Sequence, residues 1–203
     1  MYKILIFDVD GVIVKSDELY YQIALKTNKT VRKNDLKKAI SIGGDDLFKS
    51  IFNKRYTDKE VSWFRDMQIE MFSSQEHLYP GIVEIVRELS LKFKLIILSN
   101  KPKRCIDGIF SKANIYQYFC EIIGRDSGYA VKPSPEAIEY IISKYQIRED
   151  QVLFFGDSRS DAGACKSAGI SFAHCRYGFV TDKIKCHHII NKIEDILDIS
   201  NEK

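Results

Sequence analysis

Three short runs of consecutive apolar residues stand out along the chain: KILIF at 3–7, KLIILS at 94–99 and QVLFF at 151–155, each ending in a polar cluster. An unbroken apolar run of this length, rather than an alternating one, predicts a parallel strand buried on both faces. Shorter runs, CEIIG at 120–124, ISFAH at 170–174 and HHII at 187–190, predict further strands. Between the runs, apolar positions recur with helical spacing, the alternation expected of an α/β fold whose parallel sheet is joined by right-handed crossovers. Pro80-Gly81 precedes the helical IVEIVREL, Ser134-Pro135 opens PEAIEYIISKY, and a third helix from Ser158 or Arg159 to Ala168 is stopped by Gly169. Proline is tolerated at a helix start and glycine suits a helix end.

The stretch 15–79 breaks this rhythm. It holds no convincing strand, but DELYYQIALKT, NDLKKAI, DDLFKSIF and DKEVSWFRDMQIEMF each carry helical periodicity. The expected organisation is therefore an α/β core built from 1–14 and 80–203, with a small all-helical unit of 15–79 inserted after the first strand. A chain of 203 residues suffices for one substantial core with such an insert and is too short for two large domains.

Composition narrows the classes of function. Hydrophobic residues make up 45% and charged residues 29%, the balance of an ordinary globular protein. The formal charge of +3 is spread along the chain, which argues against nucleic acid as a partner. No apolar run approaches the length of a membrane span, and MYKILIF lacks the layout of a signal peptide. Cys105, Cys120, Cys165, Cys175 and Cys186 form an odd set without a C-x-x-C pair, which suits a reducing compartment. A cytoplasmic protein, monomeric or weakly dimeric, is expected.

In an open parallel sheet, ligands bind at the carboxyl ends of the strands. There the sequence puts Asp8-Val9-Asp10-Gly11 after the first strand, Ser99-Asn100 after the second, and Gly156-Asp157-Ser158 after the third, with Asp161 one helical turn further. Each residue alone also suits a turn or a helix cap. Together they deliver carboxylates and a hydroxyl to one edge, and Lys132 precedes a helix that can face it.

Four carboxylates against one lysine would repel each other and a phosphate dianion, and a hard divalent cation, magnesium where carboxylate and phosphate share the ion, resolves this. Two carboxylates two residues apart suit a two-step displacement, with Asp8 as nucleophile on phosphorus and Asp10 handling protons. Ser99 would hold a phosphoryl oxygen and Lys132 would neutralise charge. Asp157 would bind the metal, with Asp161 supporting it through water or Lys132. Asn100 and Lys101 are candidates for contact with substrate, Lys101 because it lies at the mouth of the site. Adjacent His187 and His188 would point to opposite faces of a strand and cannot easily share an ion.

These residues resemble the haloacid-dehalogenase-like (HAD) phosphatase superfamily, in the branch that resembles phosphoglycolate phosphatases and beta-phosphoglucomutases. FDVDGVIV looks like its first motif, LSNKP its second, KPSPE its third and GDSRSDAGACKSAGI its fourth, in order, and the resemblance runs from residue 3 to about 198. It implies a Rossmann-like three-layer core with a helical cap. It also implies that Asp8 is the nucleophile and Asp10 the acid/base, with magnesium held by Asp8, the Asp10 backbone carbonyl and Asp157. Gly43-Gly44 resembles the position of a cap loop that approaches substrate. The substrate would be a small phosphorylated metabolite. Hydrolysis through an aspartyl phosphate is expected; a sugar-phosphate mutase is the alternative, and a phosphorylatable switch module is disfavoured because its accepting aspartate lies on a later strand.

Two departures from the pattern are Lys15, where many relatives are acidic, and Cys165, where alanine is common. The cysteine is expected to pack, and Lys15 to reach into solvent at the hinge into the cap.

Overall fold

A computed structural model of the chain describes residues 1–27, 30–42, 44–52, 56–179 and 183–200. The chain opens with β1 (Ile4–Phe7) and passes into α1 (Ser16–Ala24), α2 (Lys33–Ile42), α3 (Gly44–Phe52), α4 (Asp58–Met71) and a single turn, α5 (Ser74–His77). It continues through α6 (Ile82–Ser90), β2 (Lys94–Leu98), α7 (Lys103–Ala113), β3 (Glu121–Ile123) and α8 (Glu136–Tyr145). The last part is β4 (Val152–Gly156), α9 (Arg159–Ala168), β5 (Ser171–Cys175), β6 (His188–Ile190) and α10 (Asp195–Ser200).

All six expected strands are present within a residue or two of their apolar runs, and each neighbouring pair is parallel in the order β3-β2-β1-β4-β5-β6. Along β1, Leu5 and Phe7 enter one apolar cluster and Ile4 and Ile6 the other. Period-two alternation with both faces covered by helices is why the run reads as continuously apolar. Phe7 stacks on Phe155 of β4 with ring centroids 4.8 Å apart. The order reverses beside β1, so the crevice between β1 and β4 at their carboxyl ends is the topological switch point, the place where such sheets bind ligands.

The helix ends follow local chemistry. At α9, Ser158 and Asp161 form a reciprocal capping box, and Gly169 closes the helix at φ +72°, a conformation that a side chain would strain. Thr57 and Glu60 do the same at the start of α4.

Between β1 and α6 the expected four helices are joined by a fifth, α5. This turn is held by the backbone N–H of Ser73 donating to His77 Nδ1 at 2.9 Å, a link that leaves no apolar periodicity in the sequence. The two passages of chain that bound these helices meet at an antiparallel bridge between Val14 and Leu78, and the Lys15 N–H donates to the His77 carbonyl at 2.7 Å. Lys15 itself is half-buried at the start of α1.

The inserted helices rest on the core through α4 against α7. Gly108 leaves room there for Ile69, whose side chain a Cβ would meet at 2.8 Å, and Arg104 pairs with Asp66 at 2.6 Å. Trp63 packs against the same core. His187 and His188 go separate ways, His187 Nδ1 accepting from the Phe172 N–H and His188 meeting the Tyr2 hydroxyl. No helix among the described residues is long and apolar enough to cross a membrane.

Candidate active site

Equal register at the strand ends sets the site. Phe7 is paired with Ile97 on one side and Phe155 on the other, so Asp8, Ser99 and Asp157 emerge within a residue or two of the same level. The Asp8 N–H donates to the Phe155 carbonyl and the Ser99 N–H to the Ile123 carbonyl, fixing the first residue beyond each strand. The side chains of Asp8, Ser99, Lys132, Asp157 and Asp161 are all buried.

Lys132 is the hub. Its ammonium lies 2.6 Å from Asp161 Oδ1 and 3.1 Å from Asp8 Oδ1, and donates to the Leu98 carbonyl at 2.9 Å. Burial opposes its charge, but Asp161 and Asp8 more than offset that, so its pKa is raised and it stays an ammonium. The expected support from Asp161 therefore runs through direct contact with Lys132. The other oxygen of Asp161 accepts from the Ser158 N–H and hydroxyl, so the same carboxylate caps α9.

One cation does not balance the carboxylates. Burial, the largest effect, pushes the Asp8 carboxyl up to about 6; Lys132 opposes this, and Asp161 and Asp10 add to it. Asp157 is raised well above the ordinary range by burial and by Asp161, despite the Phe179 N–H donating to its Oδ2 at 2.6 Å. Asp8, Asp157 and Asp161 offer carboxylate oxygens that all lie within 4.8 Å of one another. Three buried carboxylates with more negative charge than Lys132 can neutralise are the oxygen-rich donor set of a hard divalent cation. The residues fit magnesium. Asp10 contributes no side chain to this trio.

Instead, Asp10 Oδ1 sits 3.0 Å from Lys101 Nζ and accepts from the Ser16 hydroxyl. Lys101, expected at the mouth of the site, is buried. It also donates to the Tyr20 hydroxyl of α1 and, at 2.7 Å, to Gln68 Oε1 of α4. Its tetramethylene stem carries the ammonium inward because three acceptors from three elements converge there. Asn100, expected to touch substrate, has its amide engaged on both sides of Lys132: its Nδ2 donates to the Lys132 carbonyl and its Oδ1 accepts from the Lys132 N–H, each at 3.0 Å. Asn100 thus holds the loop that aims Lys132. Gly43 lies outside the described residues, and Gly44 is the first residue of α3.

Asp8, Asp10, Ser99, Lys101, Lys132 and Asp157 line a cavity of about 350 Å³ between the strand ends and the inserted helices; Asp161 is not on its wall. Ser16, Tyr20 and Gln68 were not singled out from sequence. Gln68 carries a faint signal, a polar residue among the buried Phe64 and Met67 of α4. The Phe179 N–H had none, since a backbone donor is invisible in residue types.

Gly11 has no room for a side chain: at φ +79°, an added Cβ would lie 2.3 Å from Asp157 Oδ2. Gly11→Ala is expected to displace Asp157 and lower stability by at least ~1–3 kcal/mol through the strained backbone alone. A thermal melt within a degree of wild type would contradict it.

The haloacid dehalogenase-like hydrolase family matches residues 5–175. A phosphoglycolate phosphatase of Mannheimia succiniciproducens is 29% identical over 198 residues, covering 88% of this chain and 87% of that protein. One from Vibrio vulnificus is 32% identical over 117 residues, covering 57% of this chain and about half, 51%, of that protein. Among solved structures, one named a predicted phosphoglycolate phosphatase, from Haemophilus somnus 129pt, superposes with a TM-score of 0.83 at 26% identity, covering 98% of both chains. With the match spanning most of its length and the site lying at the switch point of its sheet, this chain belongs to the haloacid dehalogenase-like hydrolase family.

Proposed function

We propose that this chain is a magnesium-dependent phosphatase that hydrolyses small phosphomonoesters through an aspartyl phosphate on Asp8. The observation that carries the reading is the convergence of Asp8, Ser99, Lys132 and Asp157 on one cavity at the ends of three adjacent strands. The phosphatases among its relatives support it, and so do the four motifs in their order. It is a phosphatase of the cytoplasm, a location that its free cysteines suit.

An oxygen of Asp8 attacks phosphorus in line with the ester oxygen, whose bond to phosphorus breaks as the new one forms. Asp10 gives the departing alkoxide its proton. A water then attacks the phosphorus of the aspartyl phosphate, Asp10 takes that water's proton, and Asp8 is regenerated with release of phosphate. Ser99 and Lys132 hold the phosphoryl oxygens and counter the charge they gather. Lys101 and Ser16 fix Asp10, and the inserted helices act as a cap that keeps bulk water from the acyl phosphate. Asp8, Asp157 and the Asp10 carbonyl would hold magnesium, with Asp161 behind them; when bound, the ion supplies positive charge against the phosphoryl group.

The test is phosphate release from a panel of phosphomonoesters with magnesium and with EDTA. Turnover is expected only with the metal. Hexose 1-phosphates that are isomerised without phosphate release would instead identify a mutase. Binding also has a readout without substrate. Magnesium at about a hundred times its dissociation constant should stabilise the fold by ~2.7 kcal/mol, a melting shift of about 5–10 °C at this size. Asp157→Asn should remove most of the shift, and an equal shift in that variant would sink the ligand assignment.

A further inference from the structure

The strand ends line the cavity with polar groups, whereas the inserted helices bring to it more apolar side chains than polar ones. Ile40 of α2, Leu47 and Phe48 of α3 and Phe64 of α4 line the cavity from the inserted helices. Their aromatic rings are already organised: Phe48 meets Phe64 edge-to-face at 5.9 Å and 90°, and Tyr20 meets Phe64 at 5.0 Å. Edge-to-face neighbours fix a ring's orientation and so present a preformed apolar surface.

The polar groups nearest this wall are largely committed. The Tyr20 hydroxyl accepts from Lys101 and donates to Gln68 Oε1, and Gln68 Oε1 also accepts from Lys101. Among the described residues, that leaves the Gln68 NH₂ and the Arg65 guanidinium as the side-chain donors offered by the inserted helices to this cavity. A sugar brings a ring of hydroxyls, and each one taken from water without a partner costs free energy. A two-carbon acid would leave the wall facing water. Arg65 and Arg125 also border the cavity, and a guanidinium is a group that can stack on a flat π-system. A volume of about 350 Å³ falls in the range that encloses ligands of some size, roughly 300 Å³ and upward.

The geometry points to a phosphomonoester whose leaving group carries a planar aromatic or heteroaromatic body, seated against Ile40, Leu47 and Phe48, with the buried Phe64 behind them fixing the Phe48 ring. This rests on the phosphatase reading and names the substrate class of the same site.

The experiment compares kcat/KM for benzyl phosphate, phosphoglycolate and glucose 6-phosphate with magnesium. All three are esters of primary alcohols, so leaving-group ability differs little and the ratio reports the wall. Benzyl phosphate is expected to lead both polar esters by at least about tenfold. Phe48→Ala should narrow that lead by about tenfold, and Ile40→Ser reads the same wall if Phe48→Ala does not fold. If a polar ester is turned over as well as benzyl phosphate, or if neither variant changes the ratio, the aromatic assignment falls while the phosphatase reading stands. Absence of phosphate release from every ester overturns both.

Discussion

Asp8→Asn is expected to abolish phosphate release, by at least about 10⁴-fold in kcat, while leaving the fold intact. An amide cannot serve as the nucleophile, and removing a nucleophile whose partners act as a unit forfeits nearly all of their joint contribution. The loss should be unaccompanied by instability, and the sign can be worked out. In the folded, metal-free protein Asp8 is raised from 3.8 to about 6, chiefly by burial. Folding therefore favours its protonated form. The penalty for ionised Asp8 is absent below pH 3.8, grows as pH rises toward about 6, and is fully present at neutral pH. Asparagine carries no charge, so in EDTA at pH 7 the variant should melt no lower than wild type. Stopped-assay phosphate measurement paired with a thermal melt decides it. Residual turnover above a few per cent would remove Asp8 from the nucleophile's role, and a collapsed melt would reassign the loss to folding.

The second large effect is on stability and activity together. Lys132 is the single ammonium in contact with both Asp8 and Asp161 among the described residues. Lys132→Ala leaves two buried carboxylates facing each other without it. Breaking a buried pair from one side costs about 3–5 kcal/mol, or on the order of 10 °C in melting temperature for a chain this size. Activity should fall at least about 10²-fold, because the cation countering charge on the phosphoryl group is gone. The double variant Lys132→Ala/Asp161→Asn separates the two losses. It removes one of the stranded charges, so it should recover much of the melting temperature and none of the turnover. If the double variant melts as low as the single one, the destabilisation is due to lost packing of the lysine stem rather than stranded charge.

Much of this protein was legible in its residues because the signals were local. The six strands could be found since a strand covered on both faces is a short apolar block bounded by polar residues, and that block needs no knowledge of its neighbours. Gly169 ended α9 as its conformational freedom suggests, and Ser158 with Asp161 formed the cap that S-x-x-D spacing allows. Asp8, Ser99, Lys132 and Asp157 could be gathered into one site from sequence because a parallel sheet sends the carboxyl ends of its strands to one edge. Turn α5 was not legible, because four residues closed by backbone bonds and by the His77 imidazole on the Ser73 N–H are too few to show a helical period.

By itself, then, the sequence determined the α/β class, the helices that follow the first strand and the acidic strand ends, all of which follow from apolar period and residue type. The tertiary structure alone decided what each polar side chain touches. It turned Lys101 inward to Asp10, Tyr20 and Gln68, because acceptors from the core and from two inserted helices meet where its ammonium can reach. It assigned Asn100 to the backbone of Lys132 and set Asp161 against the Lys132 ammonium. It also brought Ile40, Leu47, Phe48 and Phe64 to the cavity from the inserted helices. Those pairings join residues tens of positions apart: the ones to Asn100 and Asp161 depend on the order of the strands, and the ones to Tyr20 and Gln68 on how the inserted helices pack against the core, relations between surfaces that no local pattern encodes.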